Sequence, residues 1–210
     1  MKRLLIVILF ILVIPTVLFI FKKYRETLPI PVGAVSLEYP LKNGKYLVTA
    51  SGSFWGVHSN PIEKYAVDIL RFPTLGSFFK FHQADLEANE TYNIPVYSPC
   101  VGSVKKMRDG IADQPIGIKN SKAPEGNFII IGCPNFNVMM AHFKKVTFKI
   151  KEGDRVQTGE VIGQIGNSGN TDGPHLHIMA YLINGSTGEK TPLPITFNGR
   201  YFYSLDNFTN

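Results

Sequence analysis

After residue 26 no stretch of this chain keeps a helical period for three turns. Short apolar or alternating runs follow one another instead, cut by clusters of Gly, Pro, Asn and Asp. Alternation with period two gives a strand one face for a core and one for solvent, and the turn residues end each run before a helix can form. Strands are expected at 46–49, 65–70, 95–97, 102–106, 127–131, 138–143, 147–150, 161–165 and 176–183. Asn43-Gly44, Asp109-Gly110 and Asn184-Gly185 are hairpin signals. The expected fold is therefore all-β, an antiparallel sandwich or barrel-like domain over residues 37–210, long enough for one sizeable core. Residues 71–93 interrupt it as a polar and aromatic insertion, a length at which loops are usually functional or mobile.

The N-terminus reads differently. Residues 4–21 are an unbroken apolar run between Lys2-Arg3 and Lys22-Lys23. As a helix it would span about 27 Å, against a hydrocarbon core of roughly 30 Å. No small-residue cleavage site follows, so residues 1–25 are expected to be an uncleaved signal anchor, a single transmembrane helix. A removed signal peptide and a buried core helix are the alternatives. Residues 26–36, with Pro29 and Pro31 and no periodicity, would be a tether. Basic residues flank both ends of the run and leave orientation open. The chemistry of the domain, below, suits the outside of the cell, or secretion if the segment is cleaved.

The net charge of +6 comes partly from the residues flanking that run, so the domain itself is only mildly basic. No dense Lys/Arg patch with interleaved aromatics is present, and nucleic-acid binding gets no support. Cys100 and Cys133 are the only cysteines. A disulfide in an oxidising compartment and two buried thiols both remain open.

Two of the five histidines stand one residue apart in Gly173-Pro174-His175-Leu176-His177. In a strand they project from one face, roughly 6–7 Å apart, a spacing that suits one metal ligand beside one catalytic base. A purely structural role would bury two imidazoles on one face with nothing to satisfy them. Taken singly, His142 reads as a half-buried histidine, Asp68 as a turn-bonding carboxylate and His82 as a surface residue.

The ordered set of motifs resembles the M23 family of zinc metallopeptidases, the lysostaphin-like cell-wall endopeptidases. Tyr65-Ala66-Val67-Asp68 is similar to the family segment ending in a metal-binding aspartate. Ile94-Pro95-Val96-Tyr97-Ser98-Pro99 with Gly102-Ser103-Val104 resembles its strand pair, and Met140-Ala141-His142-Phe143 its internal histidine segment. The run from Lys151 through Gly166-Asn167-Ser168-Gly169-Asn170-Thr171 to His177 is the most similar stretch. The resemblance implies one zinc per domain, Asp68 and His177 as ligands, and His142 and His175 as catalytic histidines. It implies hydrolysis of amide bonds in peptidoglycan stem peptides or cross-bridges. One ligand departs from the pattern. The usual histidine four residues before the aspartate is Lys64 here, and His58, ten residues before it, is similar to the histidine of a subgroup. His58 is the expected third ligand and His82 the fallback.

Two imidazoles and a carboxylate form a three-ligand site with an open position, the arrangement of hydrolytic zinc centres. Either His142 or His175 would then take the proton of an attacking water. Two other classes compete with this reading. A biotinyl- or lipoyl-like adaptor barrel needs a modified lysine between methionines, which Lys105-Lys106-Met107 does not supply. A catalytically inactive scaffold or activator of wall hydrolases would have lost ligands, whereas candidates for all five positions are present. The bond cleaved stays open, with residues 71–93 and 108–126 as the expected rims.

Overall fold

The structure, a computed structural model, describes residues 13, 15–17, 19–52, 57–72 and 85–210. It divides into two compact units, Met1–Val32 and Gly33–Asn210.

In the first unit the described residues are helical as far as residue 26. Among the described residues, no helix is long and apolar enough to cross a membrane. The single-pass membrane placement expected from residues 1–25 is corrected accordingly. Residues 1–12, 14 and 18 lie outside the described residues. The helical stretch over 19–26 carries Lys22, Lys23, Arg25 and Glu26, with Lys23 paired to Glu26 at 2.8 Å, charges that suit water and not hydrocarbon.

The second unit is built of strands: β1 (Val35–Leu37), β2 (Lys45–Ser51), β3 (Val67–Arg71), β4 (Pro95–Tyr97), β5 (Gly102–Arg108), β6 (Asn127–Gly132) and β7 (Asn137–Phe143). There follow β8 (Arg155–Val156), β9 (Val161–Gln164), β10 (Leu176–Ile183), β11 (Lys190–Leu193), β12 (Ile195–Phe197), β13 (Arg200–Tyr201) and β14 (Asn207–Thr209). The all-β expectation holds. The main sheet runs β14-β2-β3-β10-β7-β6-β5-β8, and β11 extends it beside β10. Two small sheets, β1-β12-β13 and β4-β9, complete the unit.

Both faces of the central strands are covered. Leu176, Ile178 and Ala180 of β10 join the main core with Val138 and Met140 of β7 and Ile129 and Ile131 of β6. The alternate residues Met179 and Tyr181, Met139 and Ala141, and Phe128 form a second cluster. Strict alternation thus sends successive side chains into two different cores. Asp68 and His177, each one residue out of step with the main core, therefore sit on the second face.

The segment 147–150 is irregular where a strand was expected. Phe148 packs on Phe143 with ring centroids 4.8 Å apart, while Gln164 donates its N–H to the Thr147 hydroxyl at 3.2 Å. The apolar pattern serves the core without a strand partner. Of the three hairpin signals, Asn184-Gly185 lies in the turn from β10 to β11, whereas Asp109-Gly110 opens the long segment from β5 to β6. Cys100 and Cys133 form a disulfide that ties the β4–β5 connection to the end of β6.

Candidate metal centre

Asp68 stands on β3 directly opposite His177 on β10, and His177 stands opposite Ala141 on β7. A carboxylate in a central buried strand needs partners, since an isolated buried charge is costly. Asp68 has them. Its Oδ1 lies 2.8 Å from His177 Nδ1 and 3.7 Å from His175 Nε2, and its Oδ2 lies 3.1 Å from His58 Nε2. The donor atoms of His58, Asp68 and His177 all lie within 4.8 Å of one another, and all three residues are buried.

His58 arrives from the connection between β2 and β3. Gly52, at φ +64, turns the chain after β2, and its carbonyl lies 2.9 Å from His58 Nδ1. Downstream, Asn60 caps the short 3-10 turn Pro61–Glu63 by accepting from Ile62 N–H at 3.2 Å. Lys64, in the slot where the commoner family pattern has a histidine, places its ammonium 5.2 Å from the Tyr65 ring. His82 lies outside the described residues.

His142 reaches the site through a break in β7. Asn127 pairs with Phe143 and Phe128 with Ala141, so His142 is the extra residue of a bulge, in the left-handed region at φ 65. By alternation alone His142 would follow Val138 and Met140 into the main core. The bulge sends Phe143 there instead and leaves His142 on the metal face. Phe143's carbonyl accepts from Asn127 Nδ2 at 2.9 Å and from Ser168 Oγ at 2.7 Å. The His142 ring centroid is 4.8 Å from that of His175 and 5.9 Å from that of His177.

The ring hydrogen bonds settle how these histidines face the centre. His58 Nδ1 faces Gly52 O at 2.9 Å, His142 Nδ1 faces Ser168 O at 2.8 Å, and His175 Nδ1 faces Gly173 O at 2.9 Å. A carbonyl can only accept, so each Nδ1 donates and each Nε2 of a neutral ring carries a lone pair. For His58 that lone pair faces the Asp68 carboxylate. Two lone pairs 3.1 Å apart call for a cation between them or a proton on the ring. Two imidazoles and one carboxylate, with His58 held from outside by the Gly52 carbonyl, fit a zinc ion by donor chemistry.

Charge and burial pull against each other here. Burial raises the Asp68 carboxyl, but His175, His177 and His58 outweigh it and hold its pKa well below the usual carboxylate range. Burial first, then His175 and His177, push His142 well below an ordinary imidazole. Burial lowers His58 as well, yet the Asp68 hydrogen bond and charge and the Gly52 carbonyl raise it on balance.

All five residues singled out from sequence thus come together. The groups that hold them, Gly52, Asn127, Ser168, Gly173 and Thr171, were not anticipated as such. Ser168, Thr171 and Gly173 lie in the small-residue stretch 166–173, which reads equally well as turns, and Gly52 and Asn127 carry no comparable signal.

A profile of Peptidase family M23 matches residues 82–189, just over half of the chain, and the chain belongs to that family. The match contains His142, His175 and His177, while His58 and Asp68 precede it. A relative from Buchnera aphidicola subsp. Baizongia pistaciae (strain Bp), described as an uncharacterized metalloprotease, is 33% identical over 159 residues, covering 70% of this chain. This chain spans 39% of that relative's length. A solved lytM structure from Ruminococcus gnavus ATCC 29149 shares 20% identity at a TM-score of 0.50, covering 75% of this chain and 56% of its own. A zinc containing peptidase from Vibrio cholerae shares 18% identity at a TM-score of 0.46, covering 77% of this chain and 41% of its own. The lytM likeness is one of fold.

Proposed function

We propose that this chain is a zinc-dependent endopeptidase acting on amide bonds in peptidoglycan stem peptides or cross-bridges. The observation that carries the reading is the convergence of His58, Asp68 and His177 as a buried donor set with His142 and His175 beside it. Membership of Peptidase family M23 supports the reaction class, and the Cys100–Cys133 disulfide suits an oxidising compartment such as the one in which peptidoglycan lies.

His58, Asp68 and His177 would hold the ion through two nitrogens and one oxygen. When bound, zinc supplies a Lewis acid that polarises water and the scissile carbonyl. His142 and His175 each keep Nε2 free, because Nδ1–H is committed to a backbone carbonyl. One of them accepts the proton of the attacking water and returns it to the departing amine, so that the amide becomes a carboxylic acid and an amine. The other, having taken a proton from solvent at Nε2, donates a hydrogen bond to the oxygen that gains charge as the carbonyl carbon becomes tetrahedral and keeps that proton through the cycle. A barrel adaptor has no use for this arrangement.

Metal analysis of the purified chain, together with digestion of purified sacculi, tests the reading. About one zinc per chain and release of soluble fragments carrying new amines are expected. No zinc in the folded chain would overturn it, and zinc without hydrolysis of any wall type would make the protein an inactive scaffold. Mass spectrometry of fragments from walls of differing cross-link chemistry then names the bond. His175→Ala should keep the zinc and lower hydrolysis about 100- to 10,000-fold, the usual contribution of a positioned acid–base group.

A further inference from the structure

His175 stands just outside β10, with its side chain 15% exposed, the least enclosed of the three imidazoles whose contacts with Asp68 are given above. A ring in that position needs more than one anchor to hold a single orientation. His142 and His58 each have a backbone carbonyl on Nδ1. His175 has a carbonyl and a hydroxyl: its Nδ1 lies 2.9 Å from Gly173 O and 3.1 Å from Thr171 Oγ1.

The Thr171 hydroxyl has one proton. Gly173 O at 2.7 Å and Asn167 Oδ1 at 3.3 Å are its acceptors, and Gly173 N–H at 3.2 Å is a donor to it. Either acceptor draws the proton away from His175, so Nδ1 meets a lone pair of Oγ1 as well as the carbonyl. Both neighbours of Nδ1 then accept, which fixes the proton on Nδ1 and leaves Nε2 bare on the side of Asp68.

Thr171 is itself held. It is buried, and Asn167 beside it is fully enclosed, with Nδ2 donating to Gln114 O at 2.7 Å and N–H donating to Asp113 Oδ1 at 2.7 Å. The second oxygen of Asp113 accepts from the Tyr92 hydroxyl at 2.9 Å. Gly117 N–H to Asp172 O and Asn120 N–H to Gly169 O, each 2.9 Å, lay residues 114–120 along the same loop.

We infer that Thr171 is a positioning residue for His175, the second anchor that holds the ring orientation in which His175 works in the peptidase reading above, on which this rests, while the Gly173 carbonyl sets the Nδ1–H tautomer. The hydrogen bonds of its hydroxyl go to Asn167, Gly173 and His175 and to none of His58, Asp68 and His177, so it acts through the imidazole.

The test compares the full chain with its Thr171→Val and Thr171→Ser variants, using soluble cross-linked muropeptides as substrate. Zinc content and the 15N shifts of the His175 ring are measured alongside. Thr171→Val should lower kcat about 10- to 100-fold, the range for partners that orient a metal-site histidine. KM and zinc content should stay within about twofold, and Thr171→Ser should restore kcat to within about threefold. Nδ1 should stay protonated in all three chains, because the Gly173 carbonyl remains, while the ring signals should be single in the parent and serine chains and broadened or doubled in the valine chain as a second orientation is populated. Full kcat in Thr171→Val, or an unchanged ring pattern, overturns the inference. So does equal loss of activity and zinc in both variants, which marks a structural role only. Should Thr171→Val not fold, Thr171→Ala enters the same measurements. A parent chain that hydrolyses nothing defeats the peptidase reading, while the ring pattern still decides the role of Thr171.

Discussion

His58 carries the heaviest demand of any side chain in the centre. Its Nδ1 faces the Gly52 carbonyl, its Nε2 faces the Asp68 carboxylate, and it lies on a connection and not on a strand. Loss of this ring would leave the buried Asp68 carboxylate short of one of its three imidazole neighbours. His58→Ala should therefore abolish stoichiometric zinc binding, whereas His82→Ala should leave it intact, as metal analysis of the two purified variants would show. Retained zinc in His58→Ala together with loss in His82→Ala would move the ligand to the fallback residue. His175 and His177 were legible because period two is a local rule that needs no partner strand. His58 was legible only through resemblance, since nothing about its ten-residue distance from Asp68 follows from strand geometry. The oxygen atoms that orient the rings belong mostly to backbone carbonyls, which every residue type carries, so composition could not mark them.

At the scale of the element, the bulge in β7 decides the site. An extra residue at His142 is what splits His142 and Phe143 between two faces, and a pattern of apolar letters does not reveal where a ladder slips by one. Eight of the nine expected runs fall on β2, β3, β4, β5, β6, β7, β9 and β10, most of which hold several buried residues, and 147–150 is the exception. The two- and three-residue strands β8, β12, β13 and β14 are shorter than any window over which alternation can be seen. β1 pairs in parallel with β12, from the far end of the chain, which no local signal records. Close backbone approach is equally hidden. Gly126, at φ +60, lies so near Ser168 that an added Cβ would overlap its carbonyl, and that carbonyl is the acceptor for His142 Nδ1. Gly126→Ala combines a left-handed alanine, which costs about 1 kcal/mol, with displacement of that anchor. The expected result is a lower urea midpoint and a fall in kcat with zinc content preserved. An unchanged kcat would show that the Ser168 carbonyl does not set His142.

For the whole unit, stability has two cross-links with different origins. The Cys100–Cys133 bridge closes a loop of 33 residues, and on the chain-entropy account it stabilises by about 3–4 kcal/mol. Cys100→Ser with Cys133→Ser should lower the unfolding free energy by that order in urea titrations, without altering zinc stoichiometry, because neither cysteine belongs to the centre. Zinc would act by another route. An ion that binds the folded unit and not the open chain stabilises by mass action, about 2.7 kcal/mol at a free concentration one hundred times its dissociation constant. Its donors come from β3, from β10 and from the connection that follows β2, so the ion would join segments distant in sequence. Chelation should therefore lower the thermal midpoint of the parent chain, and added zinc should restore it. His177→Ala, lacking the donor opposite Asp68, should start at or below the chelated midpoint and respond to neither treatment. Thermal melts of the two chains with and without chelator separate the cases: an equal shift in both would place the stabilising metal somewhere other than His58, Asp68 and His177.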